Sequence, residues 1–140
     1  MVLIIEDDET DEAIIRRVLA KATPEARVVS ASDGNGALLA LRSDSLRQDI
    51  RLILLDLQLP KVSGLEVLER LHADPGIHGV PIVVLSSSSR PADVQEAYRL
   101  GARSFVVKPI DFAEYTEMLK HAVIYWLKFN RRPGVAAMGY

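Results

Sequence analysis

Four short runs of aliphatic and β-branched residues, Val2 to Ile5, Ile50 to Leu55, Pro81 to Leu85 and Ser104 to Val107, constrain this chain most, with a weaker fifth at Arg27 to Ala31. A strand with one wet face alternates apolar and polar residues. A continuous apolar run needs both faces covered, as in a parallel sheet between helical layers. Helical spacing fills the intervals: Ile14, Ile15, Val18 and Leu19; Ala37, Leu38 and Leu41; Leu65, Val67, Leu68 and Leu71; Val94, Ala97, Tyr98 and Leu100. Such alternation predicts an α/β fold. Five strands with five flanking helices fit the flavodoxin-like, doubly wound five-stranded parallel sheet of order 2-1-3-4-5. The punctuation agrees. Asp33-Gly34 turns the chain before the second helix, Pro91 suits a first helical turn, and Gly101 suits a helix end. Asp111 with Glu114 resembles a capping box opening the last helix.

At 140 residues the chain has room for one domain, expected over residues 1–130, with residues 131–140 read as a loose tail. A net charge of -2 gives no general attraction to nucleic acid or to an anionic membrane. No cysteine is present, which removes disulfides, thiolate metal sites and thiol nucleophiles together. The apolar runs are too short to span a bilayer, and the N-terminal residues lack the pattern of a signal peptide. A cytoplasmic location is the expectation.

In the predicted winding, strands one and three flank the point where strand order reverses, and ligands of such sheets bind there, beyond the carboxyl ends of the strands. Glu6 and Asp7 follow the first strand and Asp56 ends the third, so three carboxylates should meet at one rim. Ser86 ends the fourth strand, and Lys108, before Pro109, ends the fifth. Carboxylates crowded together repel unless protons or a cation intervene. An oxygen-rich set of this kind suits Mg2+ with phosphate oxygens nearby. A phosphoryl group on Asp56 would add about -1.5 to -2 charges. The cation and Lys108 could offset that charge, and Ser86 could donate a hydrogen bond to it. These residues fit the making and breaking of an aspartyl phosphate, where positioning and charge neutralisation do most of the work.

Glu6-Asp7, Asp56-Leu57-Gln58-Leu59-Pro60 with Gly64, Ser86, and Phe105-Val106-Val107-Lys108-Pro109 together resemble the receiver domain of two-component response regulators. The resemblance implies Asp56 as phosphoacceptor and Glu6, Asp7, Asp56 and the Gln58 backbone carbonyl as ligands of Mg2+ or Mn2+. It implies Ser86 as switch hydroxyl, Phe105 as switch aromatic, Lys108 as phosphate-contacting lysine, and a cis peptide before Pro109. A sensor histidine kinase would be the phosphodonor, and the chain would assist only its own phosphorylation and dephosphorylation rather than act as an enzyme. Glu6 stands where Asp is commoner, and Ser86 where Thr is frequent; neither change removes a functional group. The stretch Arg42 to Arg51, the segment Asp74-Pro75-Gly76 and the long last helix are similar to single-domain regulators paired with bacterial phytochromes. The chain ends soon after that helix, so no attached output domain is expected, and output would pass through a protein partner or the protein would serve as a relay or phosphate sink.

Rival readings have their own signatures. A haloacid-dehalogenase-type phosphatase also forms an aspartyl phosphate, but its nucleophile normally ends the first strand with a second Asp two residues later; here that position is Gln58. A receiver-like module that binds without phosphorylation would not need Asp56, Lys108 and the acid pair. No Gly-rich phosphate loop supports a nucleotide site. His72, His78 and His121 share no ligand spacing and read as solvated, and Lys128, Arg131 and Arg132 complement a helix C-terminus. In the last helix, Phe112, Tyr115, Leu119, Val123 and Trp126 should pack on the sheet. Met118, Tyr125 and Phe129 form a second stripe, to be covered by the Arg27 to Leu46 region, by the tail or by another subunit; a homodimer through this helix is the favoured expectation.

Overall fold

The structure is a computed structural model, and it describes residues 1–77 and 79–132. Five strands, β1 (Val2–Ile5), β2 (Val28–Ala31), β3 (Leu52–Asp56), β4 (Ile82–Ser86) and β5 (Ser104–Val107), pair in parallel in the order β2-β1-β3-β4-β5. The expected strand order is therefore observed. Every residue of β1, β3 and β4 is buried, as their unbroken apolar runs require. Edge strands β2 and β5 are only partly covered.

Successive side chains of a strand point to opposite faces, so each run feeds two cores. Leu3, Ile5, Ile53, Leu55 and Val84 pack on one face with Ala37 of α2 (Gly34–Ala40), Val67, Leu68 and Leu71 of α4 (Gly64–Ala73) and Ala97 of α5 (Pro91–Arg99). Val2, Ile4, Leu52, Leu54, Val83 and Leu85 pack on the other, against Ile15, Val18 and Leu19 of α1 (Glu9–Ala22) and Tyr115, Leu119 and Val123 of α6 (Phe112–Ile124). Each fully buried large aliphatic side chain contributes about 1.5–3 kcal/mol relative to exposure.

Among the described residues, six α-helices accompany the sheet rather than five. The additional one, α3 (Asp44–Asp49), has no buried residue, so no apolar stripe announces it. The helix starts are as the sequence implies. Asp8, Asp33, Ser63 and Asp111 accept a backbone N–H at the starts of α1, α2, α4 and α6. Pro91 opens α5, and Gly101 follows it with φ of 108°.

Two expectations for the last helix change. Phe112, the first residue of α6, is 58% exposed rather than packed on the sheet. After Ile124 the chain makes a π-helical turn, Tyr125–Phe129, which buries Leu127 and leaves Trp126 half-buried. Met118 packs against the α1 side of the core, whereas Tyr125 and Phe129 stay exposed. Lys128 pairs with Glu25 at 3.8 Å, and Arg132 donates to the Ile50 carbonyl. His121 is exposed and faces Glu117, and His72 is exposed. His78 and residues 133–140, most of the expected tail, lie outside the described residues. Among the described residues, no helix is long and apolar enough to cross a membrane.

Candidate functional site

Strand register builds the site. Ile5 pairs with Leu55, so Glu6 emerges beside Asp56; Asp56 pairs with Leu85, and Ser86 with Val107, so Ser86 and Lys108 follow in order along the same rim. Glu6, Asp7 and Asp56 each present a carboxylate oxygen within 4.8 Å of the others. Glu6 and Asp56 are buried, at 3% and 5% exposure, whereas Asp7 faces solvent. The sequence-predicted acids are thus brought together. Three hard oxygen donors, one open to water, are a donor set that fits Mg2+ or Mn2+.

Lys108 lies across this cluster. Its Nζ donates to Glu6 Oε1 at 2.8 Å, Asp11 Oδ2 at 3.0 Å and Asp56 Oδ2 at 3.3 Å. Burial pushes the ammonium towards deprotonation, but the Glu6 hydrogen bond and charge, the Asp11 hydrogen bond and the Asp56 charge outweigh it. The net result holds Lys108 above the ordinary lysine range, so it stays charged. Glu6 moves the other way for an acid. Burial first, and then a hydrogen bond with Asp56, raise its carboxyl to about 8, against the opposing pull of Lys108. The proton that Glu6 retains relieves the crowding of the buried acids.

Asp56 Oδ1 accepts the Gln58 backbone N–H at 2.9 Å, which fixes the carboxylate against its own turn. The Gln58 side chain reaches sideways, donating from Nε2 to Ser86 Oγ at 3.3 Å and accepting from Ser87 Oγ at 3.1 Å. Ser86 is fully buried, and its Oγ also accepts the Ser88 N–H at 3.1 Å. The hydroxyl expected at the rim is there, tied into the loop after β4. Phe105 is half-buried against the α2–α4–α5 side of the core, and its N–H donates to Tyr98 Oη at 3.2 Å. Gly64 sits under the loop after Asp56, where an added Cβ would lie 2.6 Å from the Asp56 carbonyl oxygen. Only glycine tolerates that approach.

One expectation is corrected. The Lys108–Pro109 peptide is trans, since no cis peptide occurs among the described residues. Trans is the intrinsically favoured isomer before proline by about 0.5–1 kcal/mol. Lys108 reaches all three carboxylates with the bond in that form.

Sequence reasoning missed two participants. Asp11, in the first turn of α1, reads as an ordinary dipole-complementing acid. The signal was Asp8, which caps α1 by accepting the Asp11 N–H at 2.9 Å and so fixes the turn that carries Asp11. Tyr115 reads as core. It is buried, yet its hydroxyl has no hydrogen-bond partner among the described residues. Burial, with Asp11, Glu6 and Asp56 adding to it against Lys108, holds the phenol above the ordinary tyrosine range.

A doubly wound parallel sheet with an acid cluster and a lysine at its switch point defines a class of protein, and the comparisons give the class its family. The chain belongs to the response regulator receiver domain family, whose sequence model matches residues 2–120. The phosphatases that share aspartyl phosphate chemistry are thereby set aside.

Three relatives are informative. The chain is 33% identical over 138 residues to the probable methanogenesis regulatory protein FilR2 of Methanothrix harundinacea, covering 97% of this chain and 89% of that one. It superposes on the phosphorylated cyanobacterial phytochrome response regulator RcpA with a TM-score of 0.87 and 32% identity, covering 95% and 97% of the two chains. The Mn(2+)-bound form of Rcp1, a response regulator of Synechocystis, gives a TM-score of 0.86 at 29% identity, covering 95% and 98%.

Proposed function

We propose that this chain is a phosphoacceptor receiver in a two-component phosphorelay, with Asp56 as the acceptor and a sensor histidine kinase as the donor. The observation that carries the reading is the Lys108 ammonium 3.3 Å from a buried Asp56 oxygen, with Glu6 and Asp7 oxygens converging beside it. An Asp56 carboxylate oxygen forms a bond to the phosphorus of the donor's phosphohistidine, the P–N bond breaks, and the imidazole leaves with the electron pair. Lys108 stabilises charge on the transferred phosphoryl oxygens, and Ser86 donates its hydroxyl to one of them. Glu6, Asp7, Asp56 and the Gln58 carbonyl would hold Mg2+ (or Mn2+). When bound, the cation neutralises phosphoryl charge.

Readout follows from what Ser86 must give up. In the resting site its Oγ is engaged by Gln58 and Ser88. Turning toward a phosphoryl group exchanges those bonds, moves the loop after β4, and vacates space for the half-buried Phe105 ring to shift inward. The β5–α6 surface is what such a shift alters. Similarity to RcpA, a cyanobacterial phytochrome response regulator, supports a phytochrome-type kinase as the donor. The expectation of a homodimer through the last helix draws support from the exposed Ile110, Phe112, Tyr125 and Phe129; sedimentation showing only monomer at high micromolar concentration, with and without phosphorylation, removes it.

The test is a phosphate-retarding gel after incubation with acetyl phosphate. Wild type shifts when Mg2+ is present and does not when it is chelated, and Asp56→Asn never shifts. A shift that persists in Asp56→Asn overturns the assignment. No shift in wild type favours a module that binds without phosphorylation.

A further inference from the structure

A lysine ammonium has three N–H donors, and in this site three carboxylates take them. The two shorter contacts, Glu6 at 2.8 Å and Asp11 at 3.0 Å, are not to the acceptor; Asp56 is the farthest at 3.3 Å. Glu6 has a second duty, since its oxygens also belong to the converging acid set. Asp11 is outside that set. It reaches the ammonium from α1, while Lys108 hangs from the end of β5, so their pair closes the rim across 97 residues of sequence.

We propose that Asp11 is a positioning residue for the chemistry at Asp56. Together with Glu6 it anchors the Lys108 ammonium so that the third N–H stays aimed at the Asp56 oxygen and, once a phosphoryl group is there, at a phosphoryl oxygen. The inference rests on the phosphoacceptor reading given above. Lysine is a long, flexible side chain that loses much rotamer freedom when held in one geometry. An anchor that makes this loss before the phosphoryl group arrives leaves less to be lost on its arrival. Asp11 suits the task because its own backbone is fixed by the Asp8 cap. Its side chain is 29% exposed, against 11% for that of Lys108, so the ion pair is largely shielded from water.

Charge alone predicts the opposite outcome. Asp11 is one more negative group beside a site meant for an anion, and removing it should favour an anionic ligand. The sign of the effect therefore separates an anchor from a bystander acid.

The experiment titrates beryllofluoride, a phosphoryl mimic, into the Mg2+-loaded protein and follows bound fluoride by 19F NMR, with Mg2+ alone measured by calorimetry. For Asp11→Asn the account expects beryllofluoride affinity about tenfold weaker, the scale of one lost charge-assisted hydrogen bond. Mg2+ affinity should change much less. The Lys108 15N ammonium resonance, kept sharp by three acceptors, should broaden in the same variant, and Asp11→Glu should keep wild-type behaviour within about threefold by retaining the charge. Equal or tighter beryllofluoride binding in Asp11→Asn overturns the proposal. So does a matched loss of Mg2+ and beryllofluoride affinity, which would place Asp11's influence on the cation. Failure of the wild type to bind beryllofluoride is a separate result that sinks the phosphoacceptor reading, and the anchor with it.

Discussion

Raising the pH should tighten Mg2+ binding to this site, and the Glu6 carboxyl sets the window. Burial and the hydrogen bond with Asp56 raise that carboxyl to about 8 from an ordinary 4.5. At pH 7 about nine in ten Glu6 carboxyls then carry a proton. A cation held through this carboxylate must expel it, so binding at pH 7 should release about 0.9 proton. The apparent dissociation constant should weaken by nearly tenfold for each pH unit below the Glu6 value and level off above it. Stability without the cation has the opposite dependence. Between 4.5 and about 8 the folded chain binds a proton that the unfolded chain has lost, so stability falls as pH rises through that window. Its steepest slope is about 1.4 kcal/mol per pH unit. Calorimetry in two buffers of different ionisation enthalpy counts the protons released, and urea unfolding at several pH values gives the slope. Glu6→Gln should bind Mg2+ more weakly and lose most of the pH dependence. A flat wild-type affinity between about pH 6 and 8, with no proton released, refutes the reasoning.

Other outcomes follow from single contacts. Tyr115→Phe removes a buried hydroxyl that has no hydrogen-bond partner among the described residues, so thermal unfolding should show unchanged or higher stability, by up to about 1 kcal/mol; a clear loss would mean the hydroxyl has a favourable role. Gly64→Ala forces a Cβ against the Asp56 carbonyl and the Leu57 backbone, neither of which can swing aside. A cost of about 1–3 kcal/mol in urea unfolding and slower acceptance of phosphoryl groups are expected. Leu54→Ala opens a void between β3 and the α1–α6 layer, where Leu54 is 1% exposed. Denaturant melts should report a loss of about 2–5 kcal/mol.

The sheet was legible because burial on both faces writes itself as uninterrupted aliphatic runs, and β1, β3 and β4 are such runs. The rim residues were legible for a related reason: in a parallel sheet the residue after each run lands on the same edge, so Glu6, Asp56, Ser86 and Lys108 could be placed together from spacing. Three features could not be read that way. Helix α3 offers the core only the partly buried Leu46, and so carries no periodic apolar signal. Asp11 joins the site through a side-chain contact between α1 and the end of β5, which only the assembled fold creates. Phe112 matched the helical stripe, but as the first residue of α6 it stays exposed, which periodicity alone does not reveal.

Every role proposed at this rim depends on Asp56 as the phosphoacceptor. The most direct measurement incubates the protein with acetyl phosphate and Mg2+, reduces it with borohydride, and maps the product by tandem mass spectrometry. An acyl phosphate on a side-chain carboxylate is reduced to the alcohol, so the account predicts homoserine at position 56, dependent on Mg2+ and absent when either reagent is omitted. Reduction at another acid, or none at position 56 in protein that has taken up phosphate, would contradict it.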